Sequence, residues 1–144
     1  MSEQKKYYIG IDLGGTFIKG GIVSENGEIV VEDKVPTESD KGGEKVMDNV
    51  AALIEKLLLK SNLKKEETVG IGMGVPGMID SKNGIVVFSN NLRWHHLHIS
   101  EGVEKRTGLK VRIANDANVA ALGEAVYGAG RDVDDSILLT LGTG

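Results

Sequence analysis

Gly10-Ile11-Asp12-Leu13-Gly14-Gly15-Thr16 is the stretch on which the reading of this chain turns. Tyr7 to Leu13 and Thr16 to Val23 both read as strands, and Gly14-Gly15 between them suits a tight hairpin. A carboxylate at a strand end, followed at once by two glycines and a threonine, offers backbone N–H groups and a hydroxyl to phosphate oxygens. Asp12 would then hold the accompanying Mg2+ through water. The same residues also suit a plain hairpin in which Asp12 merely stabilises the turn. Taken alone, the stretch leaves both readings open.

Working outward, Asn26-Gly27 supplies a second turn, and Ile29, Val30, Val31 and Val35 a third strand, giving an antiparallel meander. Pro36 to Gly43 reads as polar linker. Val46, Val50, Leu53, Ile54, Leu57 and Leu58 recur at helical spacing, with Glu44, Lys45, Glu55, Lys56 and Lys60 off the stripe. Val69 to Val75, coming after a helix, reads as a parallel strand ended by Pro76-Gly77. Beyond a Lys82-Asn83-Gly84 turn, Ile85 to Phe88 is expected as a short strand and Asn90 to His98 as an irregular loop carrying Trp94. Ser100 is expected to cap a short helix ending at Thr107-Gly108. Val111 to Ala114 is expected as a buried strand, Ala117 to Tyr127 as a helix and Ser136 to Leu141 as a last strand.

The chain has 144 residues, one domain's worth, and its 40% hydrophobic and 26% charged residues are those of a folded globular body. Twenty glycines beside only 2 prolines are too many for average usage and not linker-like, so they serve local backbone geometry. A net charge of -4 argues against a nucleic-acid binder that works by neutralising phosphates. The absence of cysteine removes disulfides, thiolate nucleophiles and thiolate zinc sites from this stretch. Met1 to Lys6 is polar and no apolar run suits a signal peptide or membrane span, so a cytoplasmic protein is expected.

Gly72-Met73-Gly74-Val75-Pro76-Gly77 fits the dinucleotide pattern G-x-G-x-x-G literally, but strand and turn follow it instead of a helix, and we reject it. No P-loop pattern occurs. His95, His96 and His98, close in sequence without a further acidic or thiol ligand, read as solvated side chains. Asn115-Asp116-Ala117-Asn118 lies where a buried strand gives way to a helix. Asp116 suits a helix N-cap, and it equally suits a carboxylate aimed into a cleft to accept a proton from a hydroxyl. Leu141-Gly142-Thr143-Gly144 repeats the strand-to-glycine-threonine turn of the first motif, as expected if phosphates are clamped from two sides.

With these residues in hand, the sequence from Tyr7 to Gly144 resembles the ROK family of repressors, open reading frames and kinases, and most of all its bacterial glucokinases. Asp12 to Thr16 matches the family's D-[IL]-G-G-T motif, Gly74 to Gly77 its G-[VI]-P-G segment, and Asn115 to Asn118 its Asn-Asp-Ala-Asn segment, continued by Ala120-Ala121-Leu122-Gly123-Glu124. The resemblance implies an α/β, ribonuclease-H-like lobe of the actin and hexokinase type, with a mixed five-stranded sheet and flanking helices. Residues 1–130 would form that N-terminal lobe, and 131–144 the start of a C-terminal one.

By the same resemblance, Asp116 is the catalytic base, Asn115 bonds a neighbouring sugar hydroxyl, and Gly77 and Asn91 line the sugar pocket. Asp12, Gly14, Gly15 and Thr16 meet the phosphates of ATP, with Asp12 at the Mg2+, and Gly142, Thr143 and Gly144 approach from the second lobe. Many members carry lysine directly after Gly-Gly-Thr; here Phe17 stands there and Lys19 is the nearest cation. The family's zinc site is expected to lie outside this chain. The function implied is phosphorylation of a hexose, glucose before others, at the entry to glycolysis. Hexose and ATP are the partners, nucleic acid and membrane are not, and the full-length protein is expected to be a homo-oligomer. The alternative is the sugar-sensing lobe of a ROK repressor. Repressors place a helix-turn-helix ahead of the first motif, whereas six polar residues precede Tyr7 here, which favours the kinase. The lobe alone is expected to fold without turning over substrate, and to self-associate through residues after about Gly130.

Overall fold

In a computed structural model of the chain, which describes residues 6–89 and 94–115 with Phe88 and Asn115 by their backbone only, Ile9, Ile11 and Leu13 share one face of a strand and are fully buried. That strand, β1 (Tyr7–Leu13), pairs antiparallel with β2 (Phe17–Ser24), and β2 with β3 (Ile29–Pro36), forming the expected meander. Then follow α1 (Gly43–Ser61), β4 (Thr68–Val75), a hairpin series β5 (Met78–Asp80), β6 (Ile85–Ser89) and β7 (Trp94–Leu97), then α2 (Ile99–Thr107) and β8 (Val111–Asn115). The expected helix over 117–127 and strand over 136–141 lie outside the described residues.

The main sheet is mixed and five-stranded, in the order β3-β2-β1-β4-β8. β4 runs parallel to β1, and β8 parallel to β4. Parallel neighbours need crossover connections, which α1 supplies before β4 and the small β5-β6-β7 sheet with α2 before β8. All six apolar positions expected to form the buried stripe of α1 are buried, joined by Met47. Asn62 ends the helix in a left-handed conformation, its N–H bonded to the carbonyls of Leu58 and Leu59. The helix approaches the sheet closely over Gly20, where a Cβ would lie 2.9 Å from the side-chain tips of both Ile11 and Leu53 and 3.0 Å from that of Leu57.

Three local expectations are corrected. Trp94 to Leu97 is not irregular loop: it pairs antiparallel with β6, Ser89 opposite Trp94 and Val86 opposite Leu97, which satisfies its backbone while Trp94 is buried. Pro36 to Gly43 is not simply linker, because β3 runs to Pro36, a 3-10 turn occupies Ser39–Lys41, and α1 begins at Gly43. Ser100 does not cap α2. The helix starts at Ile99 with His98 in the cap position and no side-chain cap bond; Ser100 sits in the first turn, its N–H donating to the Gly84 carbonyl at 3.1 Å. Packing of Ser100 onto Gly84 overrides the local capping preference and leaves the buried Ser100 hydroxyl without a partner. Among the described residues, no helix is long and apolar enough to cross a membrane.

Gly20→Val supplies a residue that favours strands over glycine, yet it is expected to lower stability by about 1–3 kcal/mol through overpacking. The check is a urea unfolding curve, in which the midpoint should fall while the slope is unchanged.

Candidate active site

The three parallel strands leave the sheet at one edge. Asp12 of β1 stands opposite Gly74 of β4, and Val75 of β4 opposite Asn115 of β8. Gly14 to Thr16 after β1, Pro76-Gly77 after β4 and Asn115 at the end of β8 are therefore delivered to the same end of the sheet, although about a hundred residues separate the first from the last. In open α/β sheets the crevice beyond the carboxyl ends of parallel strands is where ligands bind.

The loop Gly14 to Thr16 is held by its carbonyls. The Gly14 N–H donates to the Phe17 carbonyl at 3.1 Å, closing the turn, and a Cβ on Gly14 would lie 2.6 Å from that same oxygen, so only glycine fits. The Gly14 carbonyl accepts from the Thr37 hydroxyl at 2.7 Å, the Gly15 carbonyl from the Ser39 hydroxyl at 3.3 Å, and the Thr16 carbonyl from the Thr37 N–H at 2.9 Å. Every described peptide bond is trans, and a trans peptide sets each N–H opposite the preceding carbonyl. The N–H groups of Gly15 and Thr16 therefore face away from the Thr37 to Ser39 segment, in a loop where Gly15 and Thr16 are both exposed.

Asp12 is out of step with Ile11 and Leu13 and so faces the side of the sheet opposite α1. Around it on that side, the neighbouring β1, β2 and β4 positions are mostly glycine. Gly10 and Gly21 are paired there, Gly10 also pairs with Gly72, and Gly74 is Asp12's own neighbour on β4. Strand glycines of this kind permit close approach of another group to the backbone. Opposite Asp12 on β2 stands Lys19. Half-burial pushes the Asp12 carboxyl above the ordinary carboxylate range, and the charge of Lys19 pulls it part of the way back.

These residues fit a nucleotide phosphate with its metal. Outward N–H groups and the Thr16 hydroxyl suit phosphate oxygens. A single half-buried carboxylate suits Mg2+, which keeps several waters and takes one or two protein carboxylates together with the phosphates. Among the described residues no cluster of three histidine, aspartate or glutamate side chains gathers as an all-protein metal cage.

Of the other residues singled out in the sequence, Gly77 lies in the turn after β4 with φ of 111°, a conformation open to glycine. Asn115 ends β8. Asn91, Asp116, Gly142, Thr143 and Gly144 lie outside the described residues. His95 and His96 stand exposed on β7, with His98 exposed just before α2. The sequence reading missed Thr37, Ser39 and the brace they form; a single threonine following Pro36 in a polar run was the only signal.

The ROK family pattern matches residues 8–144. The chain belongs to the ROK family. It is 45% identical over 137 residues to a glucokinase of Thermotoga maritima, covering 94% of this chain and 42% of that protein. It is also 35% identical over 136 residues to a xylose repressor of Caldicellulosiruptor bescii, covering 94% and 34%. Among solved structures, a ROK family glucokinase from Streptomyces griseus in complex with glucose and AMPPNP superposes with a TM-score of 0.72 at 36% identity, covering 90% of this chain and 39% of that one. The ROK chain thus spans about 42% of the length of the curated glucokinases it matches. Its fold is that of the ribonuclease-H-like lobe of actin and hexokinase type, as its resemblance to the family implied.

A raised carboxyl binds its proton more readily in the folded chain than in the unfolded one, so stability falls as pH rises from the ordinary value of 3.8 through the higher folded one. Asp12→Asn, which carries no charge, is expected to melt at a higher temperature than the wild type at neutral pH. The advantage should disappear as pH falls below the ordinary carboxylate value. Thermal unfolding followed by circular dichroism across that range checks it.

Proposed function

We propose that this ROK chain is the N-terminal lobe of an ATP-dependent hexose kinase that converts glucose to glucose 6-phosphate. The observation that supports the reading is the common end of β1, β4 and β8, since it sets the phosphate-suited loop after β1 and Asn115 at the same end of the sheet. In phosphoryl transfer the protein contributes positioning and charge stabilisation. Gly14, Gly15 and Thr16 receive the phosphates of ATP, and Asp12 holds the water shell of Mg2+. The metal supplies charge neutralisation of the phosphate oxygens when bound. Asp116 aligns the attacking sugar hydroxyl and takes its proton, Asn115 bonds a neighbouring hydroxyl, and Gly77 and Asn91 line the sugar pocket. Gly142, Thr143 and Gly144 approach the phosphates from a second lobe.

In this reading residues 1–130 form one lobe and 131–144 open the next, within a protein whose curated relatives are more than twice as long. The lobe by itself does not turn over substrate, because the transferring group must be held from both sides. The intact protein works in the cytoplasm, where ATP and glucose meet at the entry to glycolysis, and assembles as a homo-oligomer. Similarity to a xylose repressor favours a second reading, a sugar-sensing lobe without catalysis.

Glucose-dependent ADP release by the intact protein separates the two readings. In that assay Asp116→Asn is expected to lower kcat by at least ~10²-fold with the fold intact; near-normal turnover would reduce Asp116 to a helix cap. Asp12→Ala is expected to weaken Mg-ATP binding while glucose affinity hardly changes. Calorimetry showing the reverse pattern would move Asp12 from the metal to the sugar.

A further inference from the structure

Thr37 is fully buried just past the end of β3, yet both of its donors are spent on the loop after β1. Its hydroxyl holds the Gly14 carbonyl at 2.7 Å and its N–H the Thr16 carbonyl at 2.9 Å, while Ser39 reaches the Gly15 carbonyl between them at 3.3 Å. The carbonyl of Thr37 is in turn fixed from α1, accepting from the Asn49 side-chain amide at 3.0 Å. The same amide group contacts the Pro36 carbonyl at 3.2 Å and Glu38 Oε1 at 3.0 Å. The loop is thereby tied through Thr37 and Asn49 to a helix whose apolar stripe is in the core.

We infer that Thr37 is a positioning residue of the nucleotide-phosphate site. It acts through the peptide planes of Gly14 to Thr16. A glycine-rich loop left to itself can rotate those planes and turn its N–H groups away from a phosphate. Pinning the carbonyls from behind removes that freedom before the nucleotide arrives, so the donors are aimed in advance and little ordering remains to be done on binding. Ser39 supports the middle plane, and Asn49 supports Thr37. This inference rests on the kinase reading and adds to it a residue outside every motif that the family resemblance supplied.

The test uses the intact protein and three variants. Thr37→Val keeps the shape and loses the hydroxyl, leaving the Gly14 carbonyl without its donor; Thr37→Ser keeps the hydroxyl. Thr37→Val is expected to raise KM for Mg-ATP roughly tenfold and leave KM for glucose within about twofold, with Thr37→Ser close to the wild type. MgADP affinity by calorimetry should fall in step with the rise in KM. An equal change for both substrates, an unchanged nucleotide KM and affinity, or failure of serine to rescue overturns the inference. If Thr37→Val does not fold, Ser39→Ala decides: its nucleotide affinity should fall by roughly threefold at an unchanged unfolding midpoint, and no fall overturns the inference. A wild type without glucose-dependent ADP release overturns the kinase reading alone, because MgADP binding still judges the brace. Absence of MgADP binding to the wild type overturns both.

Discussion

Parallel pairing of β4 with β1 and of β8 with β4 is the constraint from which the arrangement of the site follows. A parallel pair fixes direction as well as register, so strands that begin at one end of the sheet must also finish together. Here Asp12 is set opposite Gly74 and Val75 opposite Asn115. The pairing in turn depends on crossovers that cover the sheet, and α1 does so by burying seven residues of one face. At about 25 cal/mol per Å² of apolar surface removed from water, that stripe is a large share of what stabilises the lobe. The burial of that face adds to the backbone ladder that pairs β4 with β1.

The two sides of β1 divide the labour of the fold. Ile9, Ile11 and Leu13 face the helix and carry packing, while Asp12, one step out of phase, faces a surface floored by Gly10, Gly21, Gly72 and Gly74. Glycines at such strand positions let another group approach the backbone closely. Burial of Asp12 in that setting disfavours its charge, and Lys19 across the hairpin only partly compensates. A carboxylate left with incomplete compensation is suited to receive a further cation, which agrees with a role beside Mg2+.

The surroundings of the Gly14 to Thr16 loop show how a flexible sequence becomes a fixed one. Three successive carbonyls are engaged by a segment more than twenty residues away, and that segment is itself held by Asn49. Glu38, in a left-handed conformation within the segment, bonds Lys41 and Asn49, which hold its carboxyl below the ordinary range. Farther along α1, Glu44 and Asp48 meet Arg106 of α2, so the two helices are joined at the surface near the same end of α1. Such exposed pairs add little stability one by one; the buried contacts of Thr37 matter more because an unsatisfied carbonyl there would be costly.

Sequence by itself was enough for what depends on local periodicity and local turn chemistry. The alternation of Ile9, Ile11 and Leu13, the Gly14-Gly15 hairpin, the helical stripe from Val46 to Leu58 and the end of β4 at Pro76-Gly77 could all be read from residues a few positions apart. The order of the Asp12 to Thr16, Gly74 to Gly77 and Asn115 to Asn118 motifs also carried the family, which the match over residues 8–144 bears out. Tertiary structure decided whatever depends on a distant partner. Trp94 to Leu97 is a strand only because β6 lies beside it, Ser100 is no cap because α2 already begins at Ile99 and its first turn packs on Gly84, and Thr37 is a brace because the hairpin loop comes within 2.7 Å of its hydroxyl. Burial and pairing across tens of residues leave no periodic trace in the sequence, since a single threonine in a polar run reads the same whether it meets water or a carbonyl.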